Sequence, residues 1–229
     1  MEKLNPEQII KRSIRGVATL ISRTFFVNII SFAAFLVITS VLKAQEIGIY
    51  TAVIAIQRVI SFFTDFGLGA ALIQKKDELK QEDITTSFTI QVGISLAIFI
   101  FIALSIGWIA GFFKLNADAQ MLLLVLVFTI FLSSFKTIPS ILLERSLKFS
   151  KLVIPQIAEA LVFNSILVGL TLSGYGISSF TWAFLISSIV GIPFYYFVSP
   201  WKLRIGIHKE SLNYLKYGVQ FQAKNVLAT

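Results

Sequence analysis

Six long apolar segments, separated by short polar stretches, run along most of the chain. Each has the roughly 20 residues that an α-helix needs to cross the hydrocarbon core of a bilayer. The pattern predicts an all-α, polytopic membrane protein built on a lobe of six transmembrane helices. The predicted spans are Thr24 to Leu42, Ile47 to Gly67, Thr86 to Phe113, Met121 to Leu143, Leu152 to Leu172 and Ser178 to Val198.

The composition supports a membrane location. Hydrophobic residues make up 56% of the 229 residues and charged residues only 14%, so a soluble fold could not cover its apolar surface. The chain contains no cysteine, which excludes disulfide scaffolds, thiol enzymes and zinc fingers. The single histidine, His208, has no partner ligand in the sequence around it, and we predict neither a metal site nor a cofactor.

Lysine and arginine residues are unevenly distributed between the loops. Most of the 20 lie in the segments assigned to the cytoplasm, and the outer loops contain only Lys43 and Lys114. This positive-inside bias predicts that both ends of the six-helix lobe are cytoplasmic. The bias would be reversed if the second segment did not span, so that segment is predicted to cross despite Arg58. The net charge of +8 is therefore mainly an orientation signal, and we expect no nucleic-acid partner.

Two cytoplasmic segments are predicted to flank the lobe, which covers residues 24–198. Within residues 1–23, Asn5-Pro6 is a typical helix start. The apolar residues that follow recur on one face, which predicts an interfacial amphipathic helix. Residues 199–229 predict a basic linker and the start of a truncated seventh helix. We expect the chain to be a fragment that lacks a C-terminal half or second lobe.

Polar side chains inside the predicted spans are the candidate functional residues. A charge at the bilayer centre costs about 2.5–3.5 kcal/mol on insertion scales, so such a side chain should face a bundle interior or a wet cavity. The cations outnumber the acids, and this excess suits an anionic substrate such as a phosphate. The predicted substrate-binding cations are Arg23, Arg58 and Lys136, the coupling or gating acids are Asp65 and Glu159, and the other cavity residues are Gln57, Gln156 and Asn164.

Interhelical pairing is the competing explanation for these residues. A pair between Lys136 and Glu159 would satisfy it, and Arg23 could instead be a topology charge at the interface. Thr129, Ser133, Lys136 and Ser140 recur at helical spacing and predict one polar stripe. The acids could bind a coupling proton or a cation such as Na+, and the sequence does not choose between these.

Two stretches of the chain carry a family resemblance. Thr64 to Gln74 reads TDFGLGAALIQ and is followed by two lysines, and Ile138 to Phe149 reads IPSILLERSLKF. They resemble the end of the second helix and the segment after the fourth helix of Wzx-type polysaccharide and O-antigen flippases. These proteins belong to the multidrug/oligosaccharidyl-lipid/polysaccharide exporter superfamily. Glu46 to Tyr50 and Gly174 to Gly176 are shorter matches.

The resemblance implies a transporter rather than an enzyme. Flippases of this kind move undecaprenyl-diphosphate-type lipid-linked oligosaccharide to the outer leaflet by alternating access, for polysaccharide and lipopolysaccharide biosynthesis. They have two six-helix lobes around a central cavity and reside in the bacterial inner membrane. The implied partners are the lipid-linked oligosaccharide, membrane lipids and a second lobe. Cavity cations are expected in the first and second helices, where Arg23 and Arg58 lie.

Three alternative functions make different demands on a membrane protein of this kind. A multidrug or other small-molecule exporter of the same superfamily would differ in the compound that accumulates when the protein is lost. A membrane-embedded glycosyltransferase or ligase subunit would need sizeable outer loops with acids or histidines, and the predicted loops are short. A non-transporting membrane scaffold should tolerate neutralisation of its intramembrane charges.

Overall fold

The computed structural model describes residues 6–62, 64, 68–75 and 78–212 of the chain, and within these ranges the regular structure is helical, with no strand. Helix α1 spans Pro6–Val41 and is followed, after a short loop, by α2 at Ala44–Phe62. The remaining helices are α3 (Leu68–Gln74), α4 (Gln81–Phe113), α5 (Ala117–Arg145), α6 (Phe149–Leu172) and α7 (Ser178–Val198).

Five helices among the described residues are long and apolar enough to cross a membrane. They are Ser13–Val41 within α1 and the whole of α4, α5, α6 and α7. The prediction of an all-α, polytopic membrane protein is therefore confirmed. The second predicted span, Ile47 to Gly67, corresponds to α2, which has 19 residues and contains Gln57 and Arg58 in its second half. Its crossing of the membrane stays a prediction.

The predicted spans and the helices differ mainly at their ends. The last predicted span coincides with α7, whereas α4 begins at Gln81, five residues before the predicted start of its span. Such extensions are expected because a helix continues beyond the apolar run that crosses the hydrocarbon core. Helix α1 joins the predicted interfacial helix and the first predicted span in one element of 36 residues. The second predicted span ends at Gly67, which lies outside the described residues.

Helix α5 lies at the centre of the bundle. It packs against α2, α3, α4, α6 and α7, while α1 packs along α6, and α6 packs along α7. Leu122, Leu123 and Val127 of α5 are fully buried in the largest hydrophobic cluster. Large apolar side chains such as Phe101 and Phe197 stay exposed on the outer surface, as expected of helices that face lipid.

The end of the bundle where α4 and α6 begin and α5 and α7 end is called the basic end below. There the two stretches that carry the family resemblance contact each other. Arg145 donates hydrogen bonds from Nη1 to the carbonyls of Leu72, at 2.8 Å, and Ile73, at 3.2 Å. A Cβ placed on Gly69 would lie 3.5 Å from Ile141 Cδ1. The short helix α3 is thus held against the end of α5.

The two shorter matches meet at the opposite end of the bundle. Gly174 and Gly176 form the turn between α6 and α7 with φ values of +82° and +55°, which favour glycine. A Cβ on Gly176 would also lie 2.5 Å from Glu46 Oε1. The turn therefore needs glycine for its backbone conformation, and a larger residue at position 176 would also displace the Glu46 side chain at the start of α2.

Candidate functional site

A cavity of about 730 Å³ opens between α2, α4, α5 and α7. Its wall is mainly polar, because ten of its twelve lining residues carry a polar or charged side chain. The lining residues are Gln57, Arg58, Ser61, Thr64, Gly69, Gln91, Thr129, Ile130, Ser133, Lys136, Thr137 and Ser188.

Three of the predicted site residues line this cavity. Gln57 and Arg58 come from α2 and Lys136 comes from α5. Thr129 and Ser133, which were predicted to share a polar stripe with Lys136, also line it. The structure therefore brings the second and fourth predicted spans together around one polar space.

The hydroxyl groups of α5 are oriented by their own helix. Thr129 and Ser133 donate to the carbonyls of Leu126 and Ile130, at 2.7 and 2.6 Å. Thr137 donates to the carbonyl of Ser133 at 3.1 Å. Because each hydroxyl proton is used within the helix, its oxygen lone pairs are left as acceptors. The wall can therefore accept hydrogen bonds from the hydroxyl groups of a ligand.

The two cavity cations differ in their partners. Lys136 Nζ lies 2.5 Å from Glu159 Oε1, with the two side chains 13% and 24% exposed. The interhelical pair that was the competing explanation for these residues is therefore present. Arg58 is exposed, and among the described residues no hydrogen bond or ion pair involves it. The positive charge available to a ligand therefore comes first from Arg58.

A second polar group lies behind the Lys136–Glu159 pair. The Tyr195 hydroxyl of α7 lies near Ser140 and Gln156 and within electrostatic range of Arg23 and Glu159. Arg23 Nε and Gln156 Oε1 are both buried without a hydrogen-bond partner. Arg23, Gln156 and Glu159 do not belong to the cavity lining, so the structure separates these predicted site residues from Arg58.

Asn164 lies in a different part of the bundle. It lines a smaller pocket of about 350 Å³ between α1, α2, α6 and α7, whose wall is mostly aromatic and aliphatic. Its Nδ2 donates to the Ala160 carbonyl at 2.8 Å and approaches Ser31 Oγ at 3.4 Å. The last predicted site residue, Asp65, lies outside the described residues.

Sequence reasoning missed several residues of the cavity wall. Gln91 of α4 approaches the Thr64 carbonyl with its Nε2 at 3.5 Å, and an amide within an apolar span is a signal that could have identified it. Ser61, Thr137 and Ser188 gave no such signal, because serine and threonine satisfy their own helix carbonyls and are common in membrane helices.

A cationic cavity rich in hydroxyl and amide groups suits a particular class of ligand. The guanidinium of Arg58 presents a fork of donors that matches phosphate and carboxylate oxygens. The neighbouring hydroxyl and amide groups can hydrogen-bond a polyhydroxylated group. The arrangement therefore fits a ligand that combines an anionic group with a sugar.

Comparison with known proteins gives one finding. A family model described as polysaccharide biosynthesis protein matches residues 37–229 of the chain. The matched range includes α2 to α7 and every residue that lines the cavity. Comparisons with curated proteins and with solved structures give no significant match.

Proposed function

The chain belongs to the polysaccharide biosynthesis protein family whose model it matches, and from this premise we propose that it works as a flippase. The match confirms the resemblance to a polysaccharide flippase-type family that the two sequence stretches indicated. The proposed substrate is a polyprenyl-diphosphate-linked oligosaccharide, which the protein moves across the cytoplasmic membrane by alternating access. The translocated oligosaccharide would then be used in polysaccharide biosynthesis, including that of lipopolysaccharide with its O-antigen.

The cavity between α2, α4, α5 and α7 is the observation that carries this proposal. Arg58 and Lys136 supply positive charge for the diphosphate, and charge-assisted hydrogen bonds of this kind are about twice as strong as neutral ones. The hydroxyl groups of α5 and the amides of Gln57 and Gln91 supply partners for the sugars. The family match supports a role with polysaccharides, and the charge of the wall supports the diphosphate linkage.

The membrane arrangement is part of the proposal. We place the basic end of the bundle in the cytoplasm of a bacterial inner membrane, because the lysine and arginine residues concentrate there. The six-helix lobe then supplies one wall of the transport path, and a second lobe supplies the other. Asp65 and Glu159 stay candidates for binding a coupling proton or a cation such as Na+.

Complementation of a flippase-deficient strain tests the proposal. The complete gene should restore surface polysaccharide, and the double substitution of Arg58→Ala with Lys136→Ala should abolish that export while lipid-linked sugar accumulates inside the cell. A matched control replaces two cations outside the cavity, Lys43→Ala with Lys151→Ala, because both residues are exposed. This control should keep export near the wild-type level.

Two results would contradict the proposal. Full export by the cavity double variant would remove the cationic cavity from the mechanism. A knockout that becomes drug-sensitive without accumulating lipid-linked sugar would identify an exporter of small molecules instead. Protein levels in the membrane should be measured for each variant, so that lost export is compared at equal amounts of protein.

A further inference from the structure

Arg23 lies close to the level of the Lys136–Glu159 pair along the bundle, although it does not line the cavity. Two contacts fix how α1 packs on α6: Phe149 packs against Gly16, and Asn164 approaches Ser31. Both contacts join positions with the same offset, 149 to 16 and 164 to 31, so the two helices run parallel in one register. In this register Arg23 is level with residue 156, three residues and about 4.5 Å of helix rise below Glu159.

The Arg23 guanidinium is partly buried and has spare donors. Its Nε is buried without a hydrogen-bond partner, and within the described part of the chain no ion pair involves Arg23. The Tyr195 hydroxyl lies within electrostatic range of both Arg23 and Glu159, which places the two charges around one group. An arginine so placed is costly unless it serves an anion in some state of the protein.

Lys136 stands between two possible anionic partners. Its side chain lines the cavity, while its ammonium contacts Glu159 at 2.5 Å. An anion that enters the cavity therefore competes with Glu159 for the same ammonium. If the anion took Lys136, Glu159 would remain as a partly buried carboxylate without its counter-ion, and removal of one partner of a buried pair is strongly destabilising.

We infer that Arg23 is the reserve counter-ion of Glu159 and not a ligand of the substrate. When the anionic group of the substrate takes the Lys136 ammonium, the carboxylate of Glu159 transfers its ion pair to the Arg23 guanidinium. The inference rests on the proposed function, because it requires an anionic substrate in the cavity. It makes Arg23 a positioning residue, which lowers the free-energy cost of releasing Lys136 to the substrate.

The surroundings of Glu159 leave few other partners for its carboxylate. Helix α5 contributes Lys136, α1 contributes Arg23, α7 contributes the Tyr195 hydroxyl, and Gln156 is its neighbour on α6. Gly191 closes the α7 side, because a Cβ at that position would lie 2.9 Å from Glu159 Cδ. Arg23 is the charged group in this set that can replace Lys136.

A double-mutant cycle tests the inference. The complete protein in lipid nanodiscs is titrated by calorimetry with a short-chain prenyl-diphosphate-linked glucose, a probe in which each phosphate carries an ester bond and the two share an anhydride bond. Arg23→Gln should weaken binding about tenfold in the wild-type background, a coupling typical of neighbouring charged residues. In the Glu159→Gln background the same substitution should change the dissociation constant less than about twofold, because no carboxylate then needs a counter-ion.

Control variants separate this role from a loss of folding. Arg23→Lys keeps the positive charge and should keep most of the affinity. Arg15→Gln removes the same charge from an exposed position on the same helix and should leave affinity unchanged.

Two outcomes would overturn this inference and leave the proposed function intact. Equal weakening by Arg23→Gln in both backgrounds would make Arg23 a direct ligand of the substrate. No weakening in either background would remove Arg23 from the binding process. A wild-type protein that binds none of the probe would contradict the proposed function itself, so the two failures are distinguishable.

Discussion

Two partly buried lysine–carboxylate pairs in this protein have nearly the same length but very different surroundings. At the basic end Lys75 Nζ lies 2.6 Å from Asp83 Oδ2, and beside the cavity Lys136 Nζ lies 2.5 Å from Glu159 Oε1. The side chains of the first pair are 12% and 6% exposed, whereas those of the second are 13% and 24% exposed. Of the four side chains, Glu159 is thus the most accessible.

The hydrogen bonds of the two carboxylates differ more than their exposure. Asp83 also accepts from the Lys80 backbone N–H and from the Ser211 hydroxyl, both at 3.0 Å. It therefore ties together the loop before α4, the start of α4 and the segment after α7. Among the described residues, the hydrogen bond that the Glu159 side chain accepts comes from Lys136. Arg23 Nε and Gln156 Oε1 are buried without hydrogen-bond partners.

The comparison shows how one kind of ion pair can serve two purposes. A carboxylate whose oxygens are all used inside the protein holds segments together, and any change of partner leaves buried groups unsatisfied. A carboxylate with spare capacity beside a cavity can exchange partners at lower cost. We therefore expect the Asp83 pair to govern stability and the Glu159 pair to govern transport.

The largest expected effect is the loss of stability on Asp83→Ala. This change removes the acceptor of three hydrogen bonds and should lower the free energy of unfolding by about 3–5 kcal/mol, as for other broken buried pairs. Unfolding of the purified protein in mixed micelles measures it. Glu210→Ala is the control, because the Lys80–Glu210 pair is 3.9 Å long and exposed, and such pairs contribute about 0–1 kcal/mol. Equal stability of the two variants would contradict the assignment.

The next effect separates transport from stability at the cavity pair. The double variant Lys136→Met with Glu159→Gln removes both charges together, so neither is left buried alone, and stability should change little. Export per folded molecule should fall at least about tenfold, because a charge-assisted hydrogen bond to the substrate contributes roughly 1.5–3 kcal/mol. Normal export by this variant would show that the pair is only structural.

A smaller effect is expected where α7 approaches Glu159. Gly191→Ala places a methyl group against the carboxylate, and overpacking of this kind costs about 1–3 kcal/mol. The matched control is Gly169→Ala on α6, where the added Cβ would meet nothing within 4 Å. That control should be neutral or slightly stabilising, because alanine is favoured over glycine inside helices. Thermal unfolding of both variants checks the difference.

The smallest effect belongs to one hydrogen bond at the basic end. Ser211→Ala removes a single donor to Asp83 and should lower stability by about 1 kcal/mol. Ser40→Ala is the control, because that exposed hydroxyl bonds the Val37 carbonyl of its own helix. A loss as large as that of Asp83→Ala would mean that the segment after α7 contributes more than this bond.

The helices could largely be predicted from the sequence, because the length of an apolar run is set by the thickness of the bilayer. The span of α7 was predicted to the residue, and the end of α6 likewise. The end of α2 at Phe62 was not predicted, since the polar residues near Arg58 gave no sign that the helix would stop before the predicted end of the span at Gly67.

The site could be predicted only in part. The polar stripe of α5 follows from helical spacing. The Lys136–Glu159 pair was only the competing explanation, based on the cost of an unpaired charge in a membrane. The positions of Arg23 and Asn164 depend on the register between α1 and α6, which one sequence does not reveal. Arg23 therefore lies behind the cavity wall and Asn164 in the smaller apolar pocket, although both were predicted to belong to the same cavity as Arg58 and Lys136.

Cysteine labelling at two adjacent positions tests the central claim, that the cavity of α5 is a wet path for an anionic substrate. The chain contains no cysteine, so a single introduced thiol reports on its own site. Ser133 lines the cavity, whereas Ser134 is fully buried with its hydroxyl 2.9 Å from that of Ser95. An anionic methanethiosulfonate should modify Ser133→Cys faster than a cationic one, lipid-linked oligosaccharide should slow the reaction, and Ser134→Cys should not react. Equal reactivity at both positions, or labelling of Ser133→Cys that neither charge nor substrate affects, would contradict the account.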